Sequence, residues 1–479
     1  MLSSVITWRP TPTHRHLRGC PISEIGQSAP RFCRLKTLTL SVANPPVRRA
    51  KRRSADDLVI RLCFTFFLIF LFPAFTVQLA FNPVTMTFTG SIYLKIINLG
   101  CELFALALIF RSGPATDLVL QCRPILVLIG MAFAWAPFSY NPIGTIQAAN
   151  VFLTVSMFGL AMVARLGPRE SLRLVIRTMV LGCALSYYWV LVYPQEAVHQ
   201  ASDAFQFQHA GLWRGIFSHK QGLGVFSGLT LGLLLFYGSI AFPWLIFRLA
   251  AIGCALRCLI GTKSTTGQLV AIITPLILYT MYWITCSSPE VRKGKVAFLP
   301  AAGITVLACF LFGAFDWIPE MFGKSSDMTG RADIWPLVID NFNHSSAAFF
   351  GGGFGTGFAA TLSDFSVDNG YIDKIIEFGY IGAIIIFGTF IWLFSSGASL
   401  IITTSKEDAA VNVFPVSIWF VILFINVSES NFMYKHLSTV LTAIIVALIA
   451  QARIARAVPT FGTMVRSPMG RSLQRTSAK

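Results

Sequence analysis

The chain has 479 residues, 54% hydrophobic and 12% charged, with a mean hydropathy of +0.66. So little polar surface cannot cover a soluble globule, which excludes an ordinary cytosolic or secreted enzyme and points to an all-α, polytopic membrane helical bundle. The net charge of +17 would suit a nucleic-acid binder, but the cations gather in the tails instead of alternating with exposed aromatics, so nucleic acid is not an expected partner.

In chain order, residues 1–58 carry Arg9, Arg15, Arg18, Arg31, Arg34, Lys36 and the run RRAKRR at 48–53. They lack the apolar stretch of a signal peptide and read as a basic, disordered cytoplasmic tail that touches anionic lipid. A window of about 19 residues then finds about twelve apolar segments. Nine fall within 59–315: 59–81, 91–110, 118–138, 144–164, 171–193, 217–239, 242–260, 266–286 and 295–315. Three more, 372–396, 411–428 and 434–452, precede a second basic tail at 453–479. Lys95 and Glu102, two turns apart in the second segment, can face one interior seam as a pair.

With the amino terminus inside, the inner connections hold Arg111, RLGPRESLR at 165–173, PEVRKGK at 289–295 and Lys406, and both basic tails return to the cytoplasm. The outer loops are then poor in cations. The exceptions are Arg214 and Lys220 in GLWRGIFSHKQGLG (211–224), Lys263 in GTKSTTG (261–267), and Lys324 and Arg331 in a long outer segment, 316–371. That segment is rich in aromatics and glycine, and a loop of such length in a compact bundle is functional or disordered.

Each outer cation alone reads as a snorkelling or loop residue. Together on the cation-poor side, Arg214, Lys220 and Arg331 form a candidate diphosphate clamp, with arginine forks on phosphate oxygens and lysine as a point charge. GGGFGTG at 351–357 lacks the strand-to-helix context of a nucleotide loop and reads as a hairpin or sharp re-entry. Asp368, opening DNGYIDKIIEFGYIG (368–382), is either a helix cap or a general base that accepts a proton from a sugar hydroxyl. Asp373 and Glu377, with Lys374 adjacent, read as structural, and Glu429 in NVSESNF reads as holding an arginine. His219, beside Lys220, is expected to stay neutral and donate a hydrogen bond; His344 is the other outer histidine. Cys254 and Cys258 share a helix face without nearby His or carboxylate ligands and read as packing residues, so neither a metal nor a cofactor is expected.

The ordered series GLWRGIFSHKQGLG, TKSTTG, TGRADIW, GGGFGTGF, DNGYIDKIIEFGYIG and SES, over roughly residues 60–450, resembles the O-antigen ligase and polymerase (Wzy-like) superfamily, and within it the exopolysaccharide production proteins of the ExoQ type. The resemblance implies a GT-C-like bundle of about twelve helices with a large extracytoplasmic loop. It also implies a metal-independent glycosyltransferase acting on glycan carried by undecaprenyl diphosphate. Arg214, Lys220 and Arg331 match the diphosphate-binding positions, Thr262, Lys263 and Ser264 a small polar patch, and His219, Asn369, Tyr371 and Glu429 supporting places. Two positions depart from the family. Asp368-Asn369 stands where His-Asn is usual, and Gln221 where Asn commonly follows the lysine. Aspartate has an unperturbed pKa of about 3.9 against about 6.5 for histidine. As a base it needs burial or an already polarised hydroxyl; the alternative is a slow or inactive relative.

The resulting expectation is an extracytoplasmic glycan polymerase of the bacterial inner membrane, with Asp368 as base. Its partners are undecaprenyl-diphosphate-linked oligosaccharide, membrane lipids, and polysaccharide export and chain-length proteins. A ligase that transfers glycan to an acceptor lipid is the alternative within the class. A transporter or flippase of lipid-linked glycan is the alternative outside it, though a carrier places its charges near the midplane and these lie in outer loops.

Overall fold

A computed structural model describes residues 55–71, 81–82, 87–88, 92–203, 207–311, 331–362, 367–433 and 437–457. Most of both basic tails, and Lys324, lie outside the described residues. After α1 (Ala55–Leu71), a two-residue antiparallel pair, β1 (Phe81–Asn82) and β2 (Thr87–Phe88), precedes α2 (Ile92–Phe110), α3 (Gly113–Gln121) and α4 (Arg123–Ala134). Then come α5 (Pro142–Leu166), α6 (Pro168–Val192), the single turn α7 (Pro194–Ala197), α8 (Lys220–Ala241), α9 (Leu245–Thr262), α10 (Thr265–Thr285) and α11 (Pro289–Leu311). The chain closes with α12 (Arg331–Asn343), the turn α13 (Ala359–Leu362), α14 (Gly370–Thr403), the turn α15 (Ala409–Asn412), α16 (Phe414–Ser428) and α17 (Leu437–Ala457).

This is a polytopic membrane helical bundle. Among the described residues, eight helical stretches are long and apolar enough to cross a bilayer: α5, α6, α8, α9, α10, α14, α15 with α16, and α17. Among the described residues, each of the twelve apolar segments read from the sequence overlaps a helix, but four fall short of a straight span. The second, α2, meets α3 at a 107° bend just past its end, the third is a shorter apolar helix over Arg123–Phe138, α1 has 17 residues, and α11 carries the charges of its first turns. Proline in the first turn of α3, α4, α5, α6 and α16 starts those helices where an N–H would have had no partner. Lys95 and Glu102 do not pair. Lys95 is exposed, and Glu102 instead accepts from Asn150 (3.3 Å) and Thr154 (3.2 Å) of α5.

The two ends of the bundle differ in charge. At the end where α1 begins, Arg61 pairs with Glu170 (2.6 Å) and Arg165 with Asp57 (3.1 Å). Arginines there also bond the last carbonyls of helices: Arg173 and Arg177 donate to Ile240 (2.9 Å) and Ala241 (2.8 Å) of α8, and Arg292 to Thr404 (2.7 Å) after α14. These bonds occupy carbonyls that have no partner within their helix and meet the negative end of its dipole. The opposite end gathers the starts of α5, α8, α10 and α14 and the ends of α6, α9 and α16. Glycine permits this gathering. A Cβ on Gly224 or Gly228 of α8 would strike Ser264 or Gly267 at the start of α10, so the two backbones touch.

Candidate functional site

The segment between α6 and α8 folds as a small polar knot. Val198 and Trp213 form an antiparallel bridge, and Trp213 N–H donates to Gly261 O at the end of α9 (3.0 Å). Gly261 has no side chain because the Trp213 ring occupies that space, and Arg257 covers the ring at 4.8 Å. Arg214 is thereby fixed. Its Nε donates to Glu196 O (2.7 Å) and its Nη1 to Asp203 Oδ2 (3.3 Å), leaving Nη2 as the guanidinium edge outside these bonds.

His199 sits behind Arg214, 1% exposed. The Lys220 backbone N–H donates to its Nε2 (3.2 Å), so the proton is on Nδ1, which faces Asp203 Oδ2 at 3.2 Å. Burial first, and the Arg214 charge second, pull its pKa down to about 4. His209 and His219 complete a ring of three imidazoles in edge contact, with centroids 5.1–5.7 Å apart. His219 is the N-cap of α8, and its Nδ1 accepts from Gln221 N–H (3.2 Å). Among the described residues no three side chains are set to share a metal ion.

Lys220 is the first residue of α8 and is 8% exposed. Ser264, also buried, caps α10 by accepting from Gly267 N–H (3.2 Å), while Lys263 is exposed in the left-handed turn that ends α9 (φ 47°). Thr266 then meets Ser428 at 3.2 Å, which joins the start of α10 to the end of α16.

At α14 the cap is Asn369, not Asp368. Asn369 Oδ1 accepts from Tyr371 N–H (3.0 Å) and Ile372 N–H (3.2 Å), and its Nδ2 donates to Val427 O (3.1 Å). Asp368 is half-buried just before it in the left-handed region (φ 43°), a conformation aspartate tolerates better than most residues. The capping role the sequence allowed to Asp368 is taken by Asn369. Tyr371 OH donates to Leu423 O (2.9 Å), and Gly370 lies against Asn426, where a Cβ would collide with the amide. Glu429 is the C-cap of α16.

About two and a half turns from its start, α14 breaks at Gly379 (φ 66°). The glycine-rich loop satisfies the freed backbone: Gly352 and Gly353 N–H donate to Ile376 O (2.9 Å) and Glu377 O (3.0 Å), and Trp135 Nε1 donates to Phe378 O (2.9 Å). Tyr380 and Ile381 N–H donate back to Ala348 O (3.0 Å) and Phe349 O (3.2 Å). Irregular backbone at membrane depth requires such partners. Inside the break lies a buried charge group. Lys374, 2% exposed, bonds Glu377 and stands 3.7 Å from Asp373, while Glu377 Oε1 also accepts from Gly355 N–H (2.9 Å). The sequence reading took these three as structural residues of one helix face. In the structure they tie the helix to the loop.

Arg214, His219, Lys220, Lys263, Ser264, Asp368, Asn369, Tyr371 and Glu429 therefore stand at one end of the bundle. They form two groups, around the start of α8 and the start of α14, linked through α10 and α16. Arg331 opens α12, but its side chain lies outside the described residues. Sequence reasoning missed His199 and Asp203, and named Lys374 and Glu377 as structural without pairing them. Their signals were the four-residue spacing HQASD and the three-residue spacing KIIE.

No family model matches the chain. It is similar to an exopolysaccharide production protein, ExoQ, of Rhizobium meliloti (strain 1021), at 22% identity over 266 residues, covering 51% of this chain and 59% of that protein. The relationship is a distant one. The chain spans about three-fifths of the length of the curated relative it matches.

Proposed function

We propose that this chain takes part in exopolysaccharide production as a glycan polymerase of the bacterial inner membrane, joining oligosaccharide units carried on undecaprenyl diphosphate at the extracytoplasmic face. The carrying observation is the gathering of Arg214 and Lys220 with the amino-terminal starts of α8, α10 and α14 at one end of the bundle. Helix starts carry the positive ends of the helix dipoles, which favour an anion. The arginine-rich opposite end suits the cytoplasmic side, and the distant likeness to an exopolysaccharide production protein agrees with this reading.

In the proposed step, the acceptor hydroxyl oxygen attacks the anomeric carbon of the donor glycan. The bond from that carbon to the diphosphate oxygen breaks, and its electron pair leaves with the diphosphate. Asp368 takes the hydroxyl proton. Arg214, Lys220 and Arg331 stabilise the charge that develops on the leaving group.

The test is a deletion strain complemented with native chain or with Arg214→Ala. Accumulated single lipid-linked units in the deletion, cured by the native chain and not by the variant, are expected. Full-length chains without attachment would indicate a ligase, and units held on the inner leaflet a flippase.

A further inference from the structure

Beside the start of α14, the last turns of α12 line an open cavity of about 650 Å³, walled by Trp335, Pro336, Ile339, Asp340, Asn343 and Ile372. This volume lies within the range of roughly 300–1,000 Å³ usual for small-molecule sites. Ile372 of its lining belongs to the packed cluster of Val338, Phe342, Val367, Ile372 and Ile376, against which Trp335 and Ile339 also pack. Its polar groups are held in place: Trp335 Nε1 donates to Val367 O (2.9 Å), and Tyr380 OH donates to Asn343 Oδ1 (2.6 Å). The amide of Asn343 therefore offers its N–H2 as a donor, while Asp340, exposed beside His344 (3.7 Å), offers only acceptors.

We propose that this cavity binds a neutral segment of glycan and delivers it to the start of α14, a proposal that rests on the polymerase reading above. A sugar ring presents an apolar face of C–H groups and a rim of hydroxyls that both donate and accept. An indole fixed at its N–H supplies the matching apolar surface, and Asp340 with Asn343 supplies the matching acceptor and donor. An acyl chain here would desolvate a carboxylate and an amide without return. A phosphate or a uronic acid would meet the Asp340 charge with no lysine or arginine among the lining residues. Val367, which holds Trp335, directly precedes Asp368, the proposed base.

The full chain, purified in detergent, is applied to an array of neutral and uronic-acid-containing oligosaccharides free of any lipid. Retention of neutral members is expected, weakened at least roughly tenfold in Trp335→Ala, as for loss of a central aromatic contact. Trp335→Phe, which keeps an aromatic face but loses the pyrrole ring and with it the Val367 bond, is expected to retain part of the binding. Asp340→Asn is expected to admit the acidic members. Equal retention by native chain and Trp335→Ala, preference of the native chain for acidic members, or retention of no neutral member overturns the proposal. A native chain that restores polymer in the deletion strain yet retains no neutral sugar sinks the cavity proposal alone, whereas neutral-sugar binding without polymer sinks only the polymerase reading.

Discussion

Lowering the pH from 7 to 5 should loosen the Arg214 segment through His199. That imidazole is buried, accepts from the Lys220 N–H, and has its pKa pulled from 6.5 to about 4. Because the folded value lies below the unfolded one, the opened segment binds the proton more tightly. The stability contributed by neutral His199 is full above the unfolded pKa and is lost as pH falls from there towards the folded value. Between pH 7 and 5 the difference amounts to about 2 kcal/mol, roughly a twentyfold loss of protection. Hydrogen exchange at the Lys220 amide, corrected for the intrinsic pH dependence of exchange, reads this directly. Asp203, Arg214, His209 and His219 face the same ring and titrate or carry charge themselves, so His199→Gln serves as the control. Flat protection in the native chain, or the same decline in His199→Gln, would refute the reasoning.

Three further outcomes are expected. Gly351→Ala places a methyl group against the Glu377 carbonyl and forces φ 79° on a residue with a Cβ; a loss of a few kcal/mol, on the order of 3, should appear as a lower midpoint in thermal unfolding of the detergent-solubilised protein, while Gly357→Ala, with open space around it, should cost only the smaller backbone strain. Glu377→Gln removes the bonded partner of buried Lys374, leaving Asp373 at 3.7 Å as its charged neighbour, and should cost about 1–3 kcal/mol; in a double-mutant cycle with Lys374→Met, additive losses would show that the two side chains do not act as a pair. Cysteines introduced at positions 211, 263 and 357 should label from one side of the membrane, and those at 165, 293 and 406 from the other. A mixed pattern would contradict the two-ended bundle.

The helices were legible because bilayer thickness sets their length and hydropathy marks it, and proline and glycine mark most of their ends. The outer cations were legible as well, since Arg214, Lys220 and Lys263 interrupt a cation-poor side. Partnership across the fold was not. Nothing in HQASD states that His199 will accept from a residue twenty-one positions later, because that bond exists only once Val198 and Trp213 have paired. In the same way, Asp368 and Asn369 both have the side-chain chemistry of a cap. The choice fell to Asn369 because its amide has a second end, which donates to Val427 on α16 while the oxygen caps α14. A carboxylate cannot donate there.

That choice bears on the departure from the His-Asn pattern. If the asparagine does the structural work, the residue before it is free to differ in chemistry without unmaking the helix start, and Asp368→His should leave the fold intact. Thermal unfolding of Asp368→His and Asn369→Ala separates the two roles. The first is expected to melt with the native chain, and the second to lose about 1 kcal/mol for the cap and more for the severed tie to α16. The reverse order would mean that Asp368, and not Asn369, holds this end of α14, and a residue committed to that task would be a poor candidate for moving a proton.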